Sequence, residues 1–113
     1  MHEVGLTQHL VEIAEQHVRA GGHSRVLSVS IDIGELSNVL PDAVEFCFEA
    51  VIRGTLLEGS RLLINRIPGR MHCRDCCRDF AAGNDTFDCP HCGGFLLDIV
   101  QGNELRLTEM EVE

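Results

Sequence analysis

The sequence contains no lysine, no tryptophan and no tyrosine, and its only large aromatic side chains are five phenylalanines. Nine arginines face 18 acidic residues, and the resulting net charge of −9 repels nucleic acids and anionic membranes at long range. We therefore expect no nucleic-acid partner and no membrane partner. Because aromatic residues are scarce, the core must be built mainly from valine, leucine and isoleucine.

Long apolar runs are also missing. No run approaches the ~20 residues of a membrane helix, and Glu3 stands where a signal peptide would carry basic residues. The sequence therefore predicts a soluble chain in the cytoplasm. Its 113 residues suffice for one modest core with a small appendage, but not for two domains of usual size.

Hydrophobic periodicity predicts the elements of the first part of the chain. Apolar residues spaced by three and four predict a helix from about Val4 to Gly21, with His2 lying before it. Alternation over 25–35 predicts a strand, Pro41 suits the first turn of a second helix, and 61–67 predicts another strand. The face of the first strand that we expect to be exposed to solvent carries Ser28, Ser30 and Asp32.

The last part of the chain resembles a hairpin, with strands at 96–100 and 104–112 around a Gly102-Asn103 turn. We expect the final strand to return to the first sheet. The predicted fold is α+β, with two helices packed on a short three-stranded mixed sheet and an inserted zinc-ribbon subdomain. The expected domains are an αβ domain of residues 1–68 plus about 100–113, and a zinc ribbon of residues 69–99.

Two CxxC pairs, Cys73/Cys76 and Cys89/Cys92, carry the clearest chemistry. Twelve residues separate them, and each pair can aim two thiolates inward from a tight turn to complete a tetrahedron, for which zinc is the default metal. A segment of ~25 residues cannot bury enough surface to fold unaided, whereas structural zinc supplies on the order of 10 kcal/mol. The large aromatic residues available to this segment are Phe80, Phe87 and Phe95.

Other chemistries use similar cysteine patterns. Iron in the same four-thiolate cage would give a rubredoxin-like electron carrier, which the sequence leaves open. A thioredoxin-type redox site needs one CxxC pair at a helix start, and catalytic zinc keeps an open position, so two complete pairs favour structural zinc. Cys77 is expected to be a spectator, and Cys47 to be a small buried residue on the second helix.

The opening Met1-His2-Glu3 is a second possible metal site. The terminal amine, the amide nitrogen and ring Nδ1 of His2, and a further amide nitrogen can close fused chelate rings of the planar, nitrogen-rich kind that suits Ni(II) and Cu(II). A terminal histidine with no metal role is the alternative. The residues by themselves are compatible with a terminal metal site and with a terminal histidine that has no metal role.

Several motifs together resemble the HypA/HybF family of hydrogenase maturation nickel metallochaperones. The resemblance runs essentially from end to end of the chain. Besides the two CxxC pairs, it rests on Met1-His2-Glu3 followed by Leu6, Ile33-Gly34-Glu35-Leu36, Glu45-Phe46-Cys47-Phe48, Arg53-Gly54-Thr55 and Leu57-Glu58-Gly59.

This resemblance implies a nickel metallochaperone rather than an enzyme. It implies nickel ligation through His2, together with the amino terminus of Met1 and the backbone nitrogens of His2 and Glu3. The implied transported metal is Ni(II) and the implied structural metal is Zn(II), held by the four cysteines of the CxxC pairs. The implied partners are the maturation GTPase and the hydrogenase large subunit. A zinc-ribbon adaptor and a rubredoxin-like carrier are the alternatives, and the roles of His72, Cys77 and His91 stay open.

Overall fold

The structure is a computed structural model that describes residues 2–113. Its secondary structure comprises α1 (His2–Ala20), β1 (Val26–Gly34), α2 (Pro41–Val51), β2 (Arg61–Ile67), β3 (Arg70–Cys73), β4 (Asp79–Ala81), β5 (Leu97–Gln101) and β6 (Leu105–Val112).

Three strands form the first sheet, in the order β2-β1-β6, with β2 parallel and β6 antiparallel to β1. The two helices pack against each other, α1 also contacts β6, and α2 also contacts β2. Apolar residues of both helices and all three strands share one buried cluster. The predicted α+β arrangement of two helices on a mixed three-stranded sheet is therefore confirmed.

Helix α1 buries one stripe of its surface. Val11, Ala14 and Val18 are spaced by three and four, so they lie on one face and enter the core. The helix begins at His2, two residues earlier than the periodicity suggested, because polar residues of a first turn give no apolar signal. Among residues 2–113, neither helix is long and apolar enough to cross a membrane.

Strand β1 is buried on both faces, which corrects the expectation of a solvent-exposed side. Ser28 and Asp32 are each only 7% exposed. The reason is the central position of β1, since side chains from both neighbouring strands fold over it. The Asp32 carboxylate accepts hydrogen bonds from Nδ2 of Asn65 in β2, at 3.1 Å, and from Nε of Arg106 in β6, at 3.2 Å.

The predicted hairpin of the last two strands is wrong. Strand β5 pairs with β3 in a second sheet of order β4-β3-β5, whereas β6 pairs with β1 in the first sheet. The two strands separate because they serve different cores. Leu97 of β5 packs beside Cys73 in the second sheet, and Leu105 and Leu107 of β6 cover the helix-packed core.

Three glycines, which we call the glycine junction, lie where the two sheets meet. A Cβ atom on Gly34 would overlap the carbonyl oxygen of Gly102, and one on Gly102 would lie 2.6 Å from Cα of Gly69. Gly102 also has a φ of 105°, a conformation that favours glycine. Two hydrogen bonds close the junction, from the Leu36 N–H to the Gly102 carbonyl, at 2.6 Å, and from the Gly69 N–H to the Glu35 carboxylate, at 2.8 Å.

We expect Gly34→Ala to lower the free energy of unfolding by about 2 kcal/mol or more, because the added methyl group forces two backbones apart. The control is Gly5→Ala in α1, where a Cβ atom would meet nothing within 4 Å. Since alanine favours helix over glycine, this control should gain up to about 1 kcal/mol. Urea unfolding followed by circular dichroism measures both, and an unchanged midpoint for Gly34→Ala would contradict the role of the junction.

Candidate metal centres

The four cysteines of the CxxC pairs converge at one end of the second sheet. Their sulfur atoms all lie within 4.8 Å of one another, and the pairs Cys73–Cys92 and Cys76–Cys89 are each 3.6 Å apart. A tetrahedral ion with bonds of about 2.3 Å to sulfur requires sulfur atoms about 3.8 Å apart. The cage therefore has the size and the donor atoms for a tetrahedral thiolate metal such as zinc.

Two turns with the same backbone pattern build this cage. In the first, the Cys77 N–H donates to the Cys73 carbonyl, at 2.8 Å, and the Cys73 N–H donates to the Arg78 carbonyl, at 2.9 Å. In the second turn, the Gly93 N–H donates to the Cys89 carbonyl, at 2.8 Å, and the Cys89 N–H donates to the Gly94 carbonyl, also at 2.8 Å. Each turn points its two thiols towards the other.

Cys77 has a structural role that the sequence interpretation missed. Its φ is 61°, and the equivalent residue of the second turn, Gly93, has a φ of 74°. Both turns thus need a left-handed residue directly after their second metal-facing cysteine, a position that glycine occupies without steric cost. The signal was present in the sequence, since aligning the two CxxC pairs places Cys77 opposite Gly93.

The thiols of the cage influence one another's ionisation. Burial raises the pKa of the Cys89 thiol, but the backbone N–H groups of His91 and Cys92 outweigh it, and the pKa falls to about 7. The Gly94 N–H lowers the pKa of the Cys92 thiol, yet the neighbouring thiols and burial together raise it to about 12. The raised pKa of the Cys92 thiol indicates that a further negative charge beside its neighbours is unfavourable, and a bound cation would offset that charge.

The apolar core around the cage is very small. Phe80 is 6% exposed and packs near Cys73 and Cys89, but Phe87 and Phe95 are 75% and 76% exposed. Of the three phenylalanines that the sequence offered to this segment, the structure buries one. The cage therefore has few apolar neighbours to stabilise it.

The other candidate residues of this region have different neighbours. Nδ1 of His72 lies 2.6 Å from a carboxylate oxygen of Asp79 on the paired strand β4, and the His91 ring packs edge-on against Phe80. Within residues 2–113, the potential metal-binding group of three or more side chains consists of the four cysteines alone. Cys47 is half-buried on α2, less buried than expected.

The amino-terminal candidate site lies at the first turn of α1. The His2 side chain is 62% exposed, and its Nε2 atom is 3.4 Å from the Glu3 carboxylate. Amide N–H groups of a first helical turn have no acceptor within the helix, so the amides of His2 and Glu3 are available. Met1, the third residue of the expected set, lies outside the described residues.

Comparison with known proteins covers the whole chain. The sequence profile of the family described as "Hydrogenase/urease nickel incorporation, metallochaperone, hypA" matches residues 1–112. This chain belongs to the HypA family. It is similar to the hydrogenase maturation factor HypA of Geobacter metallireducens, with 50% identity, and of Geotalea uraniireducens, with 52% identity, each over all 113 residues and the full length of the relative.

Solved structures agree with the HypA assignment. The solution structure of the Ni metallochaperone HypA from Helicobacter pylori is 26% identical, with a TM-score of 0.69 over 97% of this chain and 96% of that one. A further solution structure of a HypA protein is 27% identical, with a TM-score of 0.72 over 100% and 97% of the two chains. The HypA family comprises maturation metallochaperones and not enzymes, and its role implies contact with the hydrogenase maturation machinery.

We expect Cys77→Gly to leave the metal content unchanged and to raise the thermal stability of the metal-loaded protein by up to about 1 kcal/mol, because glycine relieves the left-handed strain. The opposite substitution, Gly93→Ala, should cost about 1 kcal/mol, since its Cβ would meet no atom within 4 Å and only the backbone conformation opposes it. Calorimetry and elemental analysis measure both effects. Loss of metal from Cys77→Gly would instead make Cys77 a ligand.

Proposed function

We propose that this HypA-family protein binds Ni(II) at its amino terminus and delivers it to the [NiFe]-hydrogenase large subunit, working with the maturation GTPase. The observation that carries the proposal is the exposed His2 at the start of α1, in a chain that matches a nickel-incorporation family over residues 1–112. The large subunit would be the acceptor of the metal, and the GTPase would assist its transfer.

The proposed nickel ligands are the amine of Met1, the backbone nitrogens of His2 and Glu3, and Nδ1 of His2. Four nitrogens of this kind form the planar set that Ni(II) accepts. The Glu3 carboxylate beside Nε2 of His2 supports this arrangement, because a carboxylate on the far ring nitrogen favours the tautomer whose Nδ1 is free to bind metal. The His2 imidazole is exposed, so a partner can reach it directly.

We also propose that the four-cysteine cage holds one structural Zn(II). Zinc bound there would supply the stabilising core of a ribbon domain of residues 69–99, separate from an αβ domain of residues 1–68 and about 100–113. The close spacing of the four sulfurs and the single buried phenylalanine support this division of roles. Four cysteine ligands fill all four coordination positions of a tetrahedral zinc and leave none open for a substrate. This favours a structural role for the metal over a catalytic one.

We expect the protein to retain one zinc per chain after purification, and Cys89→Ala to abolish it. Losing one of four thiolates removes most of the metal affinity, so the region around β3 to β5 should lose its amide protection in hydrogen exchange while α1 and α2 keep theirs. Cys47→Ala is the matched control, since that half-buried cysteine lies outside the cage. Iron in place of zinc, or a well-folded ribbon without metal, would overturn this part of the proposal.

We expect His2→Ala to abolish binding of one Ni(II) per chain while zinc content and the circular dichroism spectrum stay unchanged. The imidazole is 62% exposed and its recorded polar contact is with the neighbouring Glu3 carboxylate, so its removal should affect the chelate and leave the core intact. His9→Ala is the control, because His9 is an exposed histidine of the same helix. Native mass spectrometry with and without added nickel counts both metals in each variant.

An extension placed before Met1 tests the same site in a second way, since it converts the terminal amine into an ordinary amide. It should reproduce the loss seen with His2→Ala. In cells, hydrogenase should then stay immature unless the medium contains a large excess of nickel. Unchanged nickel affinity in both variants would show that the site lies elsewhere, and His72, Cys77 and His91 would be the next residues to test.

A further inference from the structure

Thr7 is a polar residue on the side of helix α1 that is otherwise apolar. It belongs to the buried stripe that Val11, Ala14 and Val18 continue, and it is only 1% exposed. The other side chains that line the core beside it are all apolar. Valine has the same branched shape and would fill this position without burying a hydroxyl group. The hydroxyl of Thr7 is therefore not explained by packing.

The Thr7 hydroxyl forms a hydrogen bond within its own helix. Its Oγ1 atom donates to the Glu3 carbonyl oxygen, at 2.6 Å. In an α-helix that carbonyl also accepts the N–H of the residue four positions later, which is Thr7 itself. Two groups of one buried residue thus hold the same carbonyl of the first turn.

Glu3 is the residue through which this bond reaches the proposed nickel site. Its amide nitrogen is a proposed ligand, and its carbonyl group is separated from that nitrogen by the Cα atom alone. The Glu3 side chain is only 13% exposed, whereas that of neighbouring His2 is 62% exposed. Glu3 therefore lies where the anchored part of α1 meets the part that is open to solvent.

The first turn of a helix loses order easily unless something anchors it. Its N–H groups have no acceptor within the helix, so the residues of this turn are held mainly by their carbonyl groups. Helix ends fray for this reason, and a metal that binds a frayed end must also order it, at a cost in conformational entropy. A second bond to the Glu3 carbonyl reduces that cost, because it holds the backbone beside the ligands in place before the metal binds.

We propose that Thr7 is a positioning residue for nickel, because its buried hydroxyl fixes the Glu3 carbonyl and so holds the backbone nitrogens of His2 and Glu3 in one arrangement. This inference rests on the proposed function, since it concerns the same amino-terminal site. Thr7 acts through Glu3 and is not itself a ligand. It ties the solvent-exposed end of α1 to the helix-packed core.

Two substitutions separate the hydroxyl of Thr7 from its methyl group. Thr7→Val keeps the branched shape and removes the hydroxyl, whereas Thr7→Ser keeps the hydroxyl and removes a buried methyl group. Helix propensity hardly differs among these three residue types. The nickel affinity should therefore follow the hydroxyl, and the thermal stability should follow the methyl group.

Isothermal titration of Ni(II) into the full-length protein as purified measures the first effect. Thr7→Val should bind nickel about three- to tenfold more weakly, and Thr7→Ser should stay within about twofold of the unmodified protein. Calorimetric melting measures the second effect. Thr7→Ser should melt roughly 2–8 °C lower, whereas Thr7→Val should melt at or above the temperature of the unmodified protein. A purely structural role of Thr7 would not produce these opposite orders.

Thr108→Val is the matched control, because it removes a bond of the same kind from a strand. Thr108 lies in β6, and its Oγ1 atom donates to the Ser30 carbonyl, at 3.1 Å. This variant should keep the nickel affinity of the unmodified protein. Hydrogen exchange gives an independent readout before nickel is added, since the amide of residue 7 should exchange faster in Thr7→Val and at the unmodified rate in Thr7→Ser.

Unchanged or tighter nickel binding by Thr7→Val would overturn the role of Thr7. An equal loss of affinity in Thr7→Ser would also overturn it, because the effect would then come from core packing. Both outcomes leave the proposed function intact as long as His2→Ala abolishes binding. If His2→Ala binds nickel as the unmodified protein does, the amino-terminal site itself fails.

Discussion

The close backbone contact among Gly34, Gly69 and Gly102 is the constraint on which the arrangement of the two sheets depends. The chain leaves the first sheet at Gly69 and returns to it at Gly102, and both crossings are pressed together near the end of β1, where Gly34 lies. The apolar clusters of the two sheets are separate. The sheets are therefore joined mainly through backbone packing and a few hydrogen bonds, such as that from Nε2 of Gln101 to the Pro68 carbonyl, at 2.9 Å.

The second sheet depends on its cysteines because it has little else. Its buried apolar cluster consists of Cys73, Phe80, Ala82 and Cys89, so two of its four members are thiols of the cage. A buried phenylalanine contributes roughly 1.5–3 kcal/mol, which is small beside the cost of ordering the backbone of even a few residues. Metal binding on the order of 10 kcal/mol is the one term large enough to close this deficit.

The sequence predicted those features whose signals are local. Helical spacing located both helices, alternation located β1, and the CxxC spacing brought out the four cysteines that the structure gathers together. It failed where the outcome depends on distant partners. Asp32 is charged yet buried, because Asn65 and Arg106 arrive from other strands to donate hydrogen bonds to its carboxylate.

The hairpin error has the same physical origin. The two segments on either side of Gly102 alternate apolar and polar residues, as the strands of a hairpin do. Each strand nevertheless pairs in a different sheet, because its apolar face packs into a different core. The role of Cys77 in its turn is a different case, since it could be predicted from the sequence. Aligning the two CxxC pairs places Cys77 opposite Gly93, which indicates a left-handed backbone position at both residues. The exposure of Phe46 was also implicit, because a helix that buries Val44 and Phe48 must turn the residue between them outward.

The two proposed metal sites have opposite requirements, because a structural metal must be retained and a transported metal must be released. They are built from different parts of the chain. At the cage, Cys73 and Cys89 are 0% and 2% exposed, and backbone N–H groups donate to the sulfurs of Cys89 and Cys92, so removing a metal would mean dismantling the core of the ribbon. At the start of α1, the side chain of His2, the proposed nickel ligand, is 62% exposed. On the proposed function, the structural metal is held where two of the four thiols are buried, and the transported metal is held where the imidazole is open to solvent.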